Sequence, residues 1–313
     1  MNSLAKIAYI AIGVCCTTQV FGKECRSLTP VTRNAMTVYI QKQYASTLPA
    51  EILAVETNTV NCYTKVSFRI AKGRPFVFYL TPDHRFLASS LFEIATDPAI
   101  TRQKEESEAL ATLSSGAAPV RGSPQARVVF VEFSDFECPY CRQVAELISK
   151  LPAEKAAKVR LIYRQMPLES HPWSRRASEV ATCSYLVRSD AFWGLHDFIF
   201  KEQSALRPDN VESRLTSHAT EKLGVDAGAL NECLTNKEYV PILDKDKELA
   251  ERYYVEGTPT LYVNGRLSLG FRTVEQLQKI IDEADSSYLN TARDASSPLP
   301  RTIGVKSRQM SHH

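Results

Sequence analysis

The sequence has no excess of charge of one sign: 38 Lys and Arg stand against 35 Asp and Glu, a formal net charge of +3. That balance gives no reason to look for nucleic acid or an anionic membrane as partner. After the first 22 residues no stretch approaches the ~18 consecutive apolar residues of a membrane-spanning helix, so the exported chain is expected to be soluble. No internal repeat is evident. Cysteine, 8 in 313 residues, is too dilute for a disulfide-knot scaffold, yet too frequent for an ordinary cytosolic enzyme. With 44% hydrophobic and 23% charged residues, wholesale disorder is also excluded. What is present is a chain long enough for two domains, and its cysteines decide how it is read.

Residues 1–22 have the order of an export signal. Lys6 precedes an apolar run from Ile7 to Cys16, and Val20-Phe21-Gly22 suits cleavage before Lys23. The run is too short to anchor in a bilayer. Cys15 and Cys16 leave with the leader, and six cysteines remain: Cys25, Cys62, Cys138, Cys141, Cys183 and Cys233. An even number in an oxidising compartment suits paired disulfides.

Patterning divides the rest. Residues 23–97 read as a small α+β module, with a helix from about Thr29 to Tyr44 and short β-rich runs between Ile52 and Ile94. Residues 98–113 read as an exposed charged helix and 114–127, rich in Gly, Pro and Ser, as a linker. The second domain, 128–285, opens with Val128–Ser134, apolar enough for a strand buried on both faces. A helix from about Pro139 and a second strand, Val159–Gln165, complete a βαβ unit. Residues 173–254 lack strand patterning and read as all-helical. Thr260–Asn264 and Leu267–Phe271 flank an Asn264-Gly265 turn, a strong hairpin signal. A last helix is expected from about Val274 to Ala284, and residues 286–313 as a disordered tail.

The chemistry concentrates at Cys138-Pro139-Tyr140-Cys141, where the buried strand hands over to a helix. Residues three apart on a helical turn are neighbours, so the two sulfurs can close a small disulfide ring. Cys138 falls at the cap position, where free N–H groups and the helix dipole favour a thiolate. Pro139 suits the first helical position. The Cys138 thiol should fall from ~8.5 to between about 3.5 and 7. Cys138 therefore reads as an exposed nucleophile and Cys141 as the resolving thiol. A zinc knuckle would need four ligands, and no second pair stands at zinc spacing, so no metal is expected. A static disulfide rarely sits inside one helical turn after a buried strand.

VVFVEFSDFECPYC, the helical stretch and VEGTPTLYVNG together resemble the thioredoxin-fold disulfide oxidoreductases of the bacterial envelope, the DsbA/DsbC type. The resemblance covers about 125–283. It implies an α/β, thioredoxin-like fold with an all-helical insertion, preceded by the small α+β module. It also assigns roles. Thr258-Pro259 matches the family's cis-proline loop, which with Pro139 and Tyr140 would face substrate. Glu132 matches the buried acid that exchanges a proton with Cys141, its alternative being a Glu on an exposed strand face. Cys183 and Cys233 match a structural disulfide of some relatives, closing a loop of about 50 residues worth about 3–4 kcal/mol. Cys25 and Cys62 are then left to pair in the N-terminal module. His171 reads as structural or surface, and Phe192, Trp173 and Trp193 as core.

The implied activity is to form, isomerise or reduce protein disulfides through mixed disulfides, without a cofactor. The implied partners are exported proteins with thiols or disulfides and a membrane redox protein. The N-terminal module is similar to the dimerisation module of DsbC- and DsbG-type proteins, which implies a homodimer, whereas the insertion is more DsbA-like. Two other readings remain: a holdase or binding protein with a vestigial redox pair, and a glutaredoxin-like, glutathione-dependent reductase. The leader and the insertion count against the latter.

Overall fold

The computed structural model describes residues 25–44, 46–58, 61–71, 75–91, 97–268 and 270–296. The expected leader, residues 1–22, and residues 297–313 lie outside the described residues. The chain divides into two compact units between residues 95 and 96.

In the first unit, helix α1 (Pro30–Gln43) begins with Thr29 Oγ1 accepting the Thr32 N–H at 3.1 Å and with proline in its first turn, an arrangement that leaves few N–H groups unpaired. Strands β1 (Ala50–Thr57), β2 (Thr64–Ile70), β3 (Phe76–Leu80) and β4 (Leu87–Ala88) form an antiparallel sheet in sequence order. Alternation along β2 buries Thr64, Val66 and Phe68 on one face. Val66, Phe68 and Leu80 form the core with Met36 and Ile40 of α1. Cys25 is bonded to Cys62 (S–S 2.09 Å), tying the segment before α1 to the β1–β2 loop across 37 residues.

In the second unit, β6 (Val128–Ser134) and β7 (Val159–Gln165) pair in parallel from Val128↔Val159 to Ser134↔Gln165. Both are buried along almost their whole length, as strands covered on two faces must be. The crossover runs through α3 (Pro139–Ser149) and the short α4 (Ala153–Ala156). On the other side of β6, β8 (Thr260–Val263) pairs antiparallel and leads into β9 (Arg266–Leu267). Between β7 and β8 come five helices: α5 (Ser174–Val187), α6 (Ala191–Glu202), α7 (Val211–Leu223), α8 (Ala227–Asn236) and α9 (Val240–Arg252). Cys183 of α5 is bonded to Cys233 of α8 (S–S 2.04 Å). The insertion core includes Phe136, Tyr163, Trp173 and Phe192, with Trp193 packed on its edge. Helix α10 (Val274–Ser296) lays Leu277 and Ile281 on Phe130, Leu261 and Val263.

Three features differ from the sequence expectation. The expected linker, 114–127, contributes strand β5 (Val120–Gly122), which pairs antiparallel with β7 and completes the order β5-β7-β6-β8-β9. Helix α2 (Pro98–Leu113), which precedes it, lies in the second unit. Its C-terminus is held by Arg164, a fully buried guanidinium that donates to Leu113 O and Ser115 O and pairs with Asp246 at 2.9 Å. Gly265, at φ 86°, abuts α2 so closely that a Cβ would lie 1.9 Å from Glu106 O, a space only glycine fits. Finally, α10 does not stop near residue 285 but continues to Ser296. No proline or glycine interrupts the segment, and Asp285 is pinned by Arg127 and Lys158. Among the described residues no helix is long and apolar enough to cross a membrane.

Candidate active site

The site lies where β6 ends and α3 begins. Asp135, fully buried, organises the turn between them. Its carbonyl accepts the Cys138 N–H at 3.1 Å, and Oδ1 accepts the Glu137 N–H at 2.7 Å. Oδ2 accepts the Leu168 N–H and holds His171 Nδ1, both at 2.8 Å. Glu137 reaches across to the start of α5, where Oε2 accepts the N–H groups of Trp173 and Ser174 at 2.8 and 3.0 Å. A carboxylate there meets the positive end of that helix. Gln203 Nε2 donates to Phe136 O (2.8 Å) and Cys138 O (3.0 Å), closing the turn from the insertion side.

Cys138 is the N-cap of α3 and Pro139 follows in the first turn, with no side-chain oxygen serving the free N–H groups. A sulfur anion can take that place. The Cys138 thiol is lowered to about 5, chiefly by a hydrogen bond from the Cys141 thiol, then by the backbone N–H groups of Cys141 and Tyr140; burial opposes the fall. The Thr258 hydroxyl lies near enough to assist, but falls short of hydrogen-bond geometry. As a thiol, Cys138 donates to Thr258 O at 3.4 Å. Both cysteines are free thiols in this structure.

The expected exposure of Cys138 is not found: it is 3% exposed. Its sulfur lies against Thr258, which precedes Pro259 in a cis peptide bond. The exposed part of the motif is instead Pro139 and Tyr140, the latter at 64%. Beside it lies a groove of about 970 Å³ whose lining includes Tyr140, Val144, Leu147, Pro259, Phe271 and Ile280.

Cys141 is wholly buried one turn into α3, and its Sγ accepts the Asp135 N–H at 3.4 Å. Burial pushes its thiol far up, and the neighbouring Cys138 sulfur and the Glu132 charge push the same way. Glu132 is buried too, on β6 in register with Tyr163 of β7. Burial raises its carboxyl to about 7, with a smaller push from Cys138. Thus the structure brings Cys138, Cys141, Glu132, Pro139, Tyr140, Thr258 and Pro259 to one end of the sheet. Cys183–Cys233 lies between α5 and α8 of the insertion, and Cys25–Cys62 lies in the first unit. Sequence reasoning did not single out Asp135, Glu137 or Gln203. The first two stand inside the quoted motif, whereas nothing in the local pattern marks Gln203. Among the described residues no cluster of His, Cys, Asp and Glu could hold a metal ion.

Residues 114–283 match the Thioredoxin family. The chain is 34% identical over 169 residues to the Na(+)/H(+) antiporter NhaA 3 of Salinispora tropica, a match taking in 54% of this chain and 25% of that protein. It is 30% identical over 153 residues to the probable disulfide bond formation protein D of Bacillus cereus, covering 47% of this chain and 70% of that one. The catalytic domain of Proteus mirabilis ScsC aligns with a TM-score of 0.48 at 22% identity, covering 59% of this chain and 98% of that domain. This chain therefore spans about a quarter of the length of the antiporter relative.

Proposed function

The chain belongs to the thioredoxin family, and from that premise we propose that it is an exported thiol–disulfide oxidoreductase working through Cys138 and Cys141. One observation carries the reading. Two free thiols stand one helical turn apart, Cys138 at the N-cap of α3 with no capping side chain and Cys141 wholly buried, an arrangement that drives Cys138 down to about 5 and Cys141 far up. Such a pair has one sulfur ready to attack and one that holds its proton until needed.

In the reducing direction the Cys138 thiolate attacks a substrate disulfide, forming a mixed disulfide and releasing one substrate thiolate. Cys141 then gives its proton to Glu132, whose carboxyl near 7 suits proton exchange at neutral pH. The resulting thiolate attacks Cys138, closing the Cys138–Cys141 bond and releasing the second substrate sulfur. Run backwards, the same steps place a disulfide in a substrate. A stabilised Cys138 thiolate favours the reduced enzyme, so oxidation of substrate is the preferred direction. Substrate would lie in the groove beside Tyr140 and Pro259, with Pro139 and Thr258 at its edge. The two disulfides elsewhere in the chain support an oxidising compartment, where a membrane redox protein would restore the pair. Isomerisation is the second reading, favoured by the separate α+β unit, through which two chains would associate to hold a misfolded substrate.

The test is alkylation and turnover together. Cys138 should be alkylated with a midpoint near pH 5 while Cys141 stays unreacted, and Cys138→Ser should abolish oxidation of reduced ribonuclease. A midpoint at the ordinary thiol value, or full activity in Cys138→Ser, would remove the proposal and favour a holdase or binding protein.

A further inference from the structure

Asp135 and His171 form a hydrogen-bonded pair that the exchange steps above do not use. Asp135 touches the redox turn through its carbonyl to Cys138 N–H (3.1 Å) and its own N–H to Cys141 Sγ (3.4 Å). Its carboxylate holds His171 Nδ1 at 2.8 Å. The Asp135 side chain is fully buried, whereas that of His171 is 24% exposed. The imidazole is thus where solvent protons reach this cluster. Protonating it turns the pair from net −1 to neutral, next to the helix end where a thiolate forms.

Resting on the thiol-exchange reading, we propose that His171, held by Asp135, is a positioning residue for charge: its protonated form favours the Cys138 thiolate and makes the Cys138–Cys141 disulfide a stronger oxidant. The ionisable groups acting on the imidazole are Asp135, Glu137 and Cys138, all on the turn between β6 and α3. Its neighbours along its own loop and at the start of α5 include Glu169 and Arg175. Burial, the largest single influence, pulls the His171 pKa down. The hydrogen bond and charge of Asp135, with pushes from Glu137 and Cys138, outweigh it and leave His171 above its ordinary 6.5. Linkage makes the influence mutual: a thiolate that retains the imidazole proton is itself retained by that proton. The effect is full between about pH 5, where Cys138 ionises, and the raised His171 pKa. It is lost as pH rises through that pKa.

Thiolate absorbance at 240 nm, blanked with Cys138→Ser, and the equilibrium constant against glutathione test this in the full chain. His171→Gln, which keeps a donor for Asp135, should raise the Cys138 midpoint by about half a pH unit. It should lower the oxidising equilibrium constant about threefold at pH 6 and leave it unchanged at pH 9. In the wild-type protein, NMR should find His171 titrating at higher pH in the reduced than in the oxidised form, a measurement that needs no variant. Identical His171 titrations in both redox states, or an unaltered Cys138 midpoint in folded His171→Gln, would overturn the inference while leaving thiol exchange standing. Wild type and Cys138→Ser absorbing alike would remove both.

Discussion

Glu132→Gln isolates the cost of keeping a carboxyl inside the sheet. Glu132 is 2% exposed, and burial raises it from 4.5 to about 7. Each pH unit between the two values corresponds to about 1.4 kcal/mol, so ionising Glu132 in the folded protein costs about 3 kcal/mol relative to the unfolded chain. The sign follows from proton binding. Between pH 4.5 and 7 the native state holds the Glu132 proton more often than the unfolded state, so stability falls as pH rises through that window. Below it there is no effect, and above it the loss is complete. Glutamine never ionises and escapes the loss. The comparison belongs in a Cys138→Ser/Cys141→Ser background, where no active-site thiol titrates. Urea unfolding followed by tryptophan fluorescence reports the second unit alone, because both tryptophans, Trp173 and Trp193, lie in its insertion. The amide of the introduced glutamine carries its own desolvation cost, which is constant with pH and drops out. The stability difference should therefore grow by about 3 kcal/mol between pH 4.5 and 8 in favour of glutamine. A difference that stays flat across that range would refute the buried-acid reading of Glu132.

Two further outcomes concern stability. Removing the Cys183–Cys233 bond by a double serine substitution frees a 50-residue loop; this should cost about 4 kcal/mol in the loop-entropy picture, read as a lower urea midpoint. An unchanged midpoint would mean the insertion core holds α5 and α8 together unaided. Arg164→Met leaves Asp246 buried beside no guanidinium, its carboxyl already pushed up to about 6 by burial. It should cost about 3–5 kcal/mol, with most of that recovered in Arg164→Met/Asp246→Leu. A double variant no better than the single would show that the contacts of Arg164 to Leu113 O and Ser115 O matter more than the ion pair.

The parts of the fold legible in the sequence are those set by local periodicity. The run at 128–134 is apolar on both faces and that at 159–165 reads as the second strand of the same βαβ unit, and the structure makes them the adjacent strands β6 and β7. Thr29-Pro30 and Asp97-Pro98 mark helix starts where capping oxygens are found. The part not legible was the stretch 114–127. Its Gly, Pro and Ser content reads as loop, yet three of its residues find a partner in β7, and that partner lies about forty positions downstream. Edge pairing of this kind depends on what another segment leaves open, which no window of residues displays. The continuation of α10 has the same origin, since Asp285 meets Arg127 and Lys158 only in the folded chain.

At the site, three acids within six positions show where sequence pattern stops being informative. Glu132, Asp135 and Glu137 carry the same group and all lie close to Cys138. Glu132 sits mid-strand, where burial outweighs a Ser134 hydroxyl that lowers it and, with a smaller push from Cys138, keeps its proton available near neutrality. Asp135 is equally buried but collects the N–H groups of Glu137 and Leu168 and the His171 ring, which makes it a fastener for the turn. Glu137 takes two N–H groups from the start of α5 and joins the redox turn to the insertion. The functions diverge because the number of donors around each carboxylate differs, and apart from the Glu137 N–H those donors come from the loop after β7 and the start of α5, more than thirty residues away. The cysteine spacing was readable because both thiols act within one turn of one helix. The roles of Asp135 and Glu137 were not, because both depend on partners more than thirty residues away. The same logic accounts for Cys138: local pattern places it correctly at the helix cap, while its burial among the insertion core and its bond to Thr258 O, one hundred and twenty residues on, come from distant chain.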